Sequence, residues 1–108
     1  MNIAFHTKAL RGLSESQTLA SRKLGRDVAA AFHARLADLE VARNPEELPL
    51  GFIPSEESPI GFVLPLLDHY FAIFESNHSS DREAAPATKI EWSRVNRVKL
   101  MAVVKRND

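Results

Sequence analysis

No cysteine occurs in this 108-residue chain, and that absence excludes disulfides, thiolate metal sites and cysteine nucleophiles together. It suits a reducing compartment. No apolar run comes near the ~20 residues that a membrane-crossing helix needs. The opening Met1-Asn2-Ile3-Ala4-Phe5-His6 lacks the charged-then-apolar pattern of a secretion signal. A cytoplasmic protein with no membrane partner is therefore expected. The 4 glycines, Gly12, Gly25, Gly51 and Gly61, are too dispersed for a phosphate-binding loop or a dinucleotide fingerprint. The 4 histidines, His6, His33, His69 and His78, show no paired ligand spacing on a helix, so no metal site is expected. No serine sits in a nucleophile elbow, and no two carboxylates stand out as an acid/base pair. A small-molecule cofactor is not expected.

Net charge is also missing, with 14 Lys and Arg against 14 Asp and Glu. Its distribution is uneven. Before Asp38 the chain carries Lys8, Arg11, Arg22, Lys23, Arg26 and Arg35 against Glu15 and Asp27. From Lys89 onward it carries Lys89, Arg94, Arg97, Lys99, Lys105 and Arg106 against Glu91 and Asp108. The middle is acidic. A fold that joins the two ends would make a basic surface with an acidic flank; the plain alternative is a set of solvated faces.

What remains is ordinary for a globular protein, 44% apolar and 26% charged, with a length that fits one domain over residues 1–108. Alternation at Ile3 and Phe5 predicts an opening strand. Leu13-Ser14-Glu15 leads into a helix through about Leu24, stopped by Gly25. Asp27 is placed to cap a second helix, with Val28, Phe32, Leu36 and Leu39 on its apolar stripe and His33, Arg35 and Asp38 facing solvent. Asn44-Pro45-Glu46-Glu47 predicts one capped turn. Gly51 to Pro59 reads as a turn-rich connection and Ile60 to Leu64 as a strand ended by Pro65. His69 to Glu75 is apolar on both faces and so reads as a central strand. Asn77 to Thr88 reads as a polar loop. In the closing strand Val98, Leu100, Ala102 and Val104 point one way, and Lys99, Met101, Val103 and Lys105 the other. That puts Lys99 and Lys105 on one face, ~20 Å apart. The fold class is α+β: an N-terminal strand, two helices, then a mainly antiparallel sheet.

The segment Trp92-Ser93-Arg94-Val95-Asn96-Arg97-Val98-Lys99 mixes cations with an indole, as an RNA-contacting surface does. The competing roles are a core or rim position for Trp92 and a lysine-guarded sheet edge for the cations.

Taken in order, the segments resemble a family. These are Ile3-Ala4-Phe5 with Lys8 and Leu10, Arg22-Lys23-Leu24-Gly25, Arg35-Leu36-Ala37-Asp38-Leu39, Glu47-Leu48, Phe62-Val63-Leu64, Tyr70 with Ile73-Phe74-Glu75, and Arg97-Val98-Lys99-Leu100. The set is similar to RelE/HigB-type toxins of bacterial toxin–antitoxin pairs, in particular the subgroup called plasmid-maintenance killer or killer-suppression proteins. The resemblance implies a RelE/ParE-like fold and a metal-independent endoribonuclease that cuts messenger RNA on the ribosome, with the 2′-hydroxyl as nucleophile. It also implies a cognate antitoxin as partner. Lys99, Lys105 and Arg106 then become the phosphate-contacting and charge-stabilising residues, with Arg94, Arg97, Arg22, Lys23 and Trp92 assisting in RNA binding. His69 is the proton carrier, because an imidazole exchanges protons near neutral pH; the alternative is a partly buried strand residue bonded to backbone. Phe71 follows Tyr70 where the subgroup carries arginine, and Arg106 and Asn107 stand where active members have tyrosine or histidine. Those departures motivate a second expectation. It is a catalytically impaired scaffold that binds a helix-turn-helix antitoxin and acts as a co-repressor.

Overall fold

Phe32, Leu36 and Leu39 are spaced to share one stripe of a helix, and burying that stripe against a sheet organises the molecule. The computed structural model describes residues 1–83 and 89–106. β1 (Asn2–Phe5) is followed by α1 (Lys8–Glu15), α2 (Gln17–Leu24) and α3 (Arg26–Val41). A single 3-10 turn (Pro45–Glu47) leads to β2 (Ile53–Pro54), β3 (Gly61–Pro65) and β4 (Tyr70–Ser76). The short α4 (Ser79–Arg82), a second 3-10 turn (Trp92–Arg94) and β5 (Arg97–Lys105) complete the elements among the described residues. The sheet has five strands in the order β1-β5-β4-β3-β2. Among the described residues only the β1–β5 pairing is parallel, and the other neighbours are antiparallel. The α+β class with a mainly antiparallel sheet is as the sequence predicts, and β4 is indeed its central strand.

The helical layer has three α-helices before the sheet, not two. Ser16 splits the predicted first helix: its N–H reaches Gly12 O at 3.0 Å to end α1, and its hydroxyl accepts from Leu19 N at 3.0 Å to start α2. A cap that serves both neighbours makes a corner. α1 begins earlier than predicted because Thr7 accepts from Leu10 N at 3.1 Å. Gly25, at φ 86°, ends α2 and opens α3, so Asp27 lies within the first turn of α3 and complements the dipole there without capping. His33, Arg35 and Asp38 are half-buried rather than solvent-facing. His33 Nε2 donates to Leu13 O at 2.7 Å and so ties α3 to α1, while Arg35 and Asp38 pair at 2.9 Å. The amino group of Met1 donates to the carbonyls of Leu39, Glu40 and Ala42, closing the negative end of α3. Asn44 caps the 3-10 turn as expected. There the backbone N–H of Arg43, then its guanidinium, holds the Glu47 carboxyl below the ordinary carboxylate value.

Under α3 the core contains Phe62 stacked on Phe74, with centroids 5.2 Å apart, flanked by Leu64, Ala72, Val98 and Leu100. Phe71 and Ile73 point to the other face, outside this cluster. The closing strand departs from strict alternation. Phe74 pairs with Leu100, but Ala72 pairs with Val103, so β5 has one extra residue at a bulge opposite Ile73. The bulge inverts the side-chain phase for the rest of the strand. Val103 joins the core side with Ala72, and Ala102 and Val104 turn to the far face with Ile73 and Phe71. Lys99 and Lys105 are consequently on opposite faces, correcting the expectation that they share one. Of the predicted Asn77–Thr88 loop, Ser79–Arg82 forms a helical turn, and residues 84–88 lie outside the described residues.

Deleting Met101 tests the bulge. Without the extra residue Leu100 is followed directly by Ala102, so Ala102, Val103 and Lys105 keep their places opposite Ile73, Ala72 and Tyr70 in plain alternation. Stability within about 1 kcal/mol of wild type is predicted by urea unfolding. A loss of about 3 kcal/mol or more would show that the bulge itself, and not only the register beyond it, holds the strand.

Candidate phosphate-binding end of the sheet

Strands β3 and β4 are joined by Leu67-Asp68-His69-Tyr70. Tyr70 N donates to Leu67 O at 3.0 Å and Leu66 N to Tyr70 O at 2.8 Å. Asp68 and His69 have φ 54° and 65°, the two consecutive left-handed residues of a type I′ hairpin turn. Glycine is the usual second residue of such a turn, so an exposed histidine there stores backbone strain. Because β5 pairs antiparallel with β4, its far end arrives beside this turn. Arg106 N donates to His69 O at 2.8 Å, one step beyond the Tyr70–Lys105 pair.

Three predicted site residues, His69, Lys105 and Arg106, are thus gathered at one end. Lys105 Nζ lies 5.6 Å from the Tyr70 ring centre and 3.7 Å from Asp68 Oδ2. Arg106 Cζ lies 5.5 Å from the Phe71 ring centre, on the far face, and its Nη2 is 3.7 Å from Glu57 Oε1. The two cations therefore flank the edge of the hairpin from opposite faces. Ser55 sets the position of Glu57, its hydroxyl accepting from Glu57 N at 3.1 Å and from Ser58 N at 3.2 Å. Both ion pairs are long and largely exposed, which makes them weak and exchangeable for another anion. The α2–α3 corner is at this end too: residues from Leu24 to Val28 line one concavity of about 420 Å³ with Leu67 and Asp68. Arg22 and Lys23 occupy the last turn of α2, immediately before that corner.

The remaining predicted residues are not brought to this end. Lys99 pairs across the sheet with Glu75, whose carboxylate is held by Arg82 at 3.0 Å. Arg97 begins β5, and Arg94 precedes it, paired with Glu91 at 3.3 Å. Arg97 and Lys105 are separated by ~26 Å along the strand. Trp92 makes T-shaped contacts with Phe62 at 5.4 Å and Phe52 at 5.6 Å, so its indole is engaged with the core aromatics. His69 is an exposed turn residue, not a half-buried strand residue. Asn107 lies outside the described residues.

Asp68, Tyr70 and Glu57 were not singled out from sequence as site residues. The dipeptide Asp68-His69 between two apolar runs carried a usable signal, since aspartate and histidine are among the non-glycine residues enriched in left-handed conformations. Glu57 carried none, because its proximity to Arg106 arises only from the sheet. No family model, curated protein or solved structure matches the chain.

Replacing His69 with glycine should relieve the turn and stabilise the fold by about 0.5–1 kcal/mol in urea. A loss of stability of that size would mean that the imidazole makes a contact more valuable than the strain it costs.

Proposed function

We propose that the chain is a ribosome-dependent messenger-RNA endoribonuclease, the toxin of a toxin–antitoxin pair, resembling the RelE/HigB group. The observation that carries this reading is the convergence of His69, Tyr70, Lys105 and Arg106 on one strained, exposed hairpin end, with Arg22 and Lys23 at the adjacent helix corner. A phosphodiester cut by its own 2′-hydroxyl needs a proton acceptor, cations for the developing charge and a donor for the leaving oxygen. In this reading the His69 imidazole takes the 2′-hydroxyl proton as the 2′-oxygen bonds to phosphorus. Lys105 and Arg106 neutralise the charge on the phosphoryl oxygens. The P–O5′ bond then breaks, and the Tyr70 hydroxyl supplies the proton to O5′. The products are a 2′,3′-cyclic phosphate and a free 5′-hydroxyl.

The departure at position 71 acquires a physical sense here. Where the resemblance expects arginine, Phe71 instead supports the guanidinium of Arg106 from the neighbouring strand. The same contact favours the second reading, a non-cleaving scaffold that binds an antitoxin. Arg106 and Lys105 each already face a carboxylate, and Phe71 offers no charge of its own.

Induced expression, alone and with the adjacent small reading frame, together with message cleavage on purified translating ribosomes, separates the two. Growth arrest reversed by the neighbour, with cleavage reduced ~100-fold or more by Lys105→Ala or Arg106→Ala, is the expected result. Normal growth and intact message with a folded, well-expressed protein would leave the scaffold reading.

A further inference from the structure

The two edges of the sheet are treated differently. β2 has two residues and includes Pro54, which has no N–H to offer, so that edge is blunted. β1 has neither proline nor lysine from Asn2 to Phe5. Its inner side is committed: Asn2 N donates to Asn96 O and His6 N to Leu100 O, both at 2.9 Å. In a parallel ladder that parity turns the N–H and C=O groups of Ile3 and Phe5 outward. Among the described residues no hydrogen bond outside the β1–β5 ladder reaches the main chain of either residue. A groove of about 580 Å³ runs between β1, α1 and α3, with Ile3, Phe5, Leu36 and Ala37 among its apolar lining. Glu15 and His33 also line it, and two of its charged residues, Arg11 and Glu40, sit at opposite ends. The Arg11 guanidinium is 5.2 Å from the Phe5 ring, and Glu40 stands where its carbonyl takes the Met1 amine at 2.9 Å. Both side chains are on exposed residues, and neither forms an ion pair among the described residues.

We infer that this edge binds a second copy of the same chain, β1 against β1 in antiparallel pairing about a two-fold axis through Ala4. That operation sets Ile3 opposite the second copy's Phe5, and Phe5 opposite its Ile3. The outward main-chain groups of each then satisfy those of the other. The operation also exchanges the ends of the groove, so that Arg11 of each copy approaches Glu40 of the other. An isologous interface requires such self-complementarity. A cation and an anion placed at opposite ends of one short strand supply it. The result is a continuous sheet with the helices of both copies on one face.

Sedimentation equilibrium over a wide concentration range tests the inference, read against the monomer mass of 12.1 kDa. The wild type should approach twice that mass with concentration. Ile3→Pro removes an outward N–H and none of the β1–β5 ladder bonds, at the cost of a side chain packed on the core, so the monomer should still fold by circular dichroism while dimerisation weakens by ~30-fold or more. Arg11→Glu and Glu40→Arg should each weaken it by ~10-fold, and the double exchange should restore it. A wild type that stays monomeric throughout would overturn the inference. So would a folded Ile3→Pro that associates like wild type. Should Ile3→Pro fail to fold, the charge exchange decides: no recovery in the double variant rejects the interface.

Discussion

β5 sits between the first strand and the fourth, and that double pairing is the constraint on which the architecture rests. Its parallel partner β1 lays the start of the chain along one edge of the sheet, while its antiparallel partner β4 brings the end of β5 to the β3–β4 turn. Val98 and Leu100 face the Phe32–Leu36–Leu39 stripe before the bulge, and Val103 regains the same side after it. Strict alternation would have put Val103 on the far face. The bulge therefore reconciles a buried strand with a terminus whose last two cations, Lys105 and Arg106, flank one hairpin.

Charge follows the same geometry. The chain is neutral as a whole, yet the fold draws cations from both of its basic segments to the hairpin end. Acids from the middle segment meet them there, Asp68 at Lys105 and Glu57 at Arg106, both at 3.7 Å. Exposed pairs of that length contribute little to stability, because water and salt compete with them. In the proposed role an incoming phosphate replaces the carboxylate, so the acids moderate affinity without eliminating it. A site built in this way predicts strong salt dependence, since the phosphate is held there by ionic interactions.

Much of the fold was legible in sequence. The helical stripe of α3, the glycine stop at Gly25, the capped turn at Asn44 and the two-sided apolar pattern of β4 all lie in local spacing or in one residue's conformational preference. The rest depended on partners. Ser16 reads as one polar residue in a helical stretch, and only its two hydrogen bonds reveal a corner. The bulge cannot be seen in β5 alone, because Arg97 to Lys105 alternates cleanly until β4 sets the register. The expectation that Lys99 and Lys105 share a face failed for that reason, since Lys105 lies beyond the bulge. Trp92 resembled a stacking platform because its neighbours in sequence are cations, whereas its neighbours in space are Phe52 and Phe62. His69, Lys105 and Arg106 were chosen from residue type and resemblance, and it is the hairpin that brings them together.

In the proposed role RNA is bound at the hairpin end of the sheet. Titration of the isotope-labelled protein with a short single-stranded RNA, followed through backbone amide shifts, tests that placement most directly. The largest shifts are expected from Leu67 to Tyr70 and at Lys105 and Arg106, with Arg94 and Arg97 nearly unmoved. Shifts concentrated around Arg94 and Arg97, or none anywhere on the sheet, would contradict it.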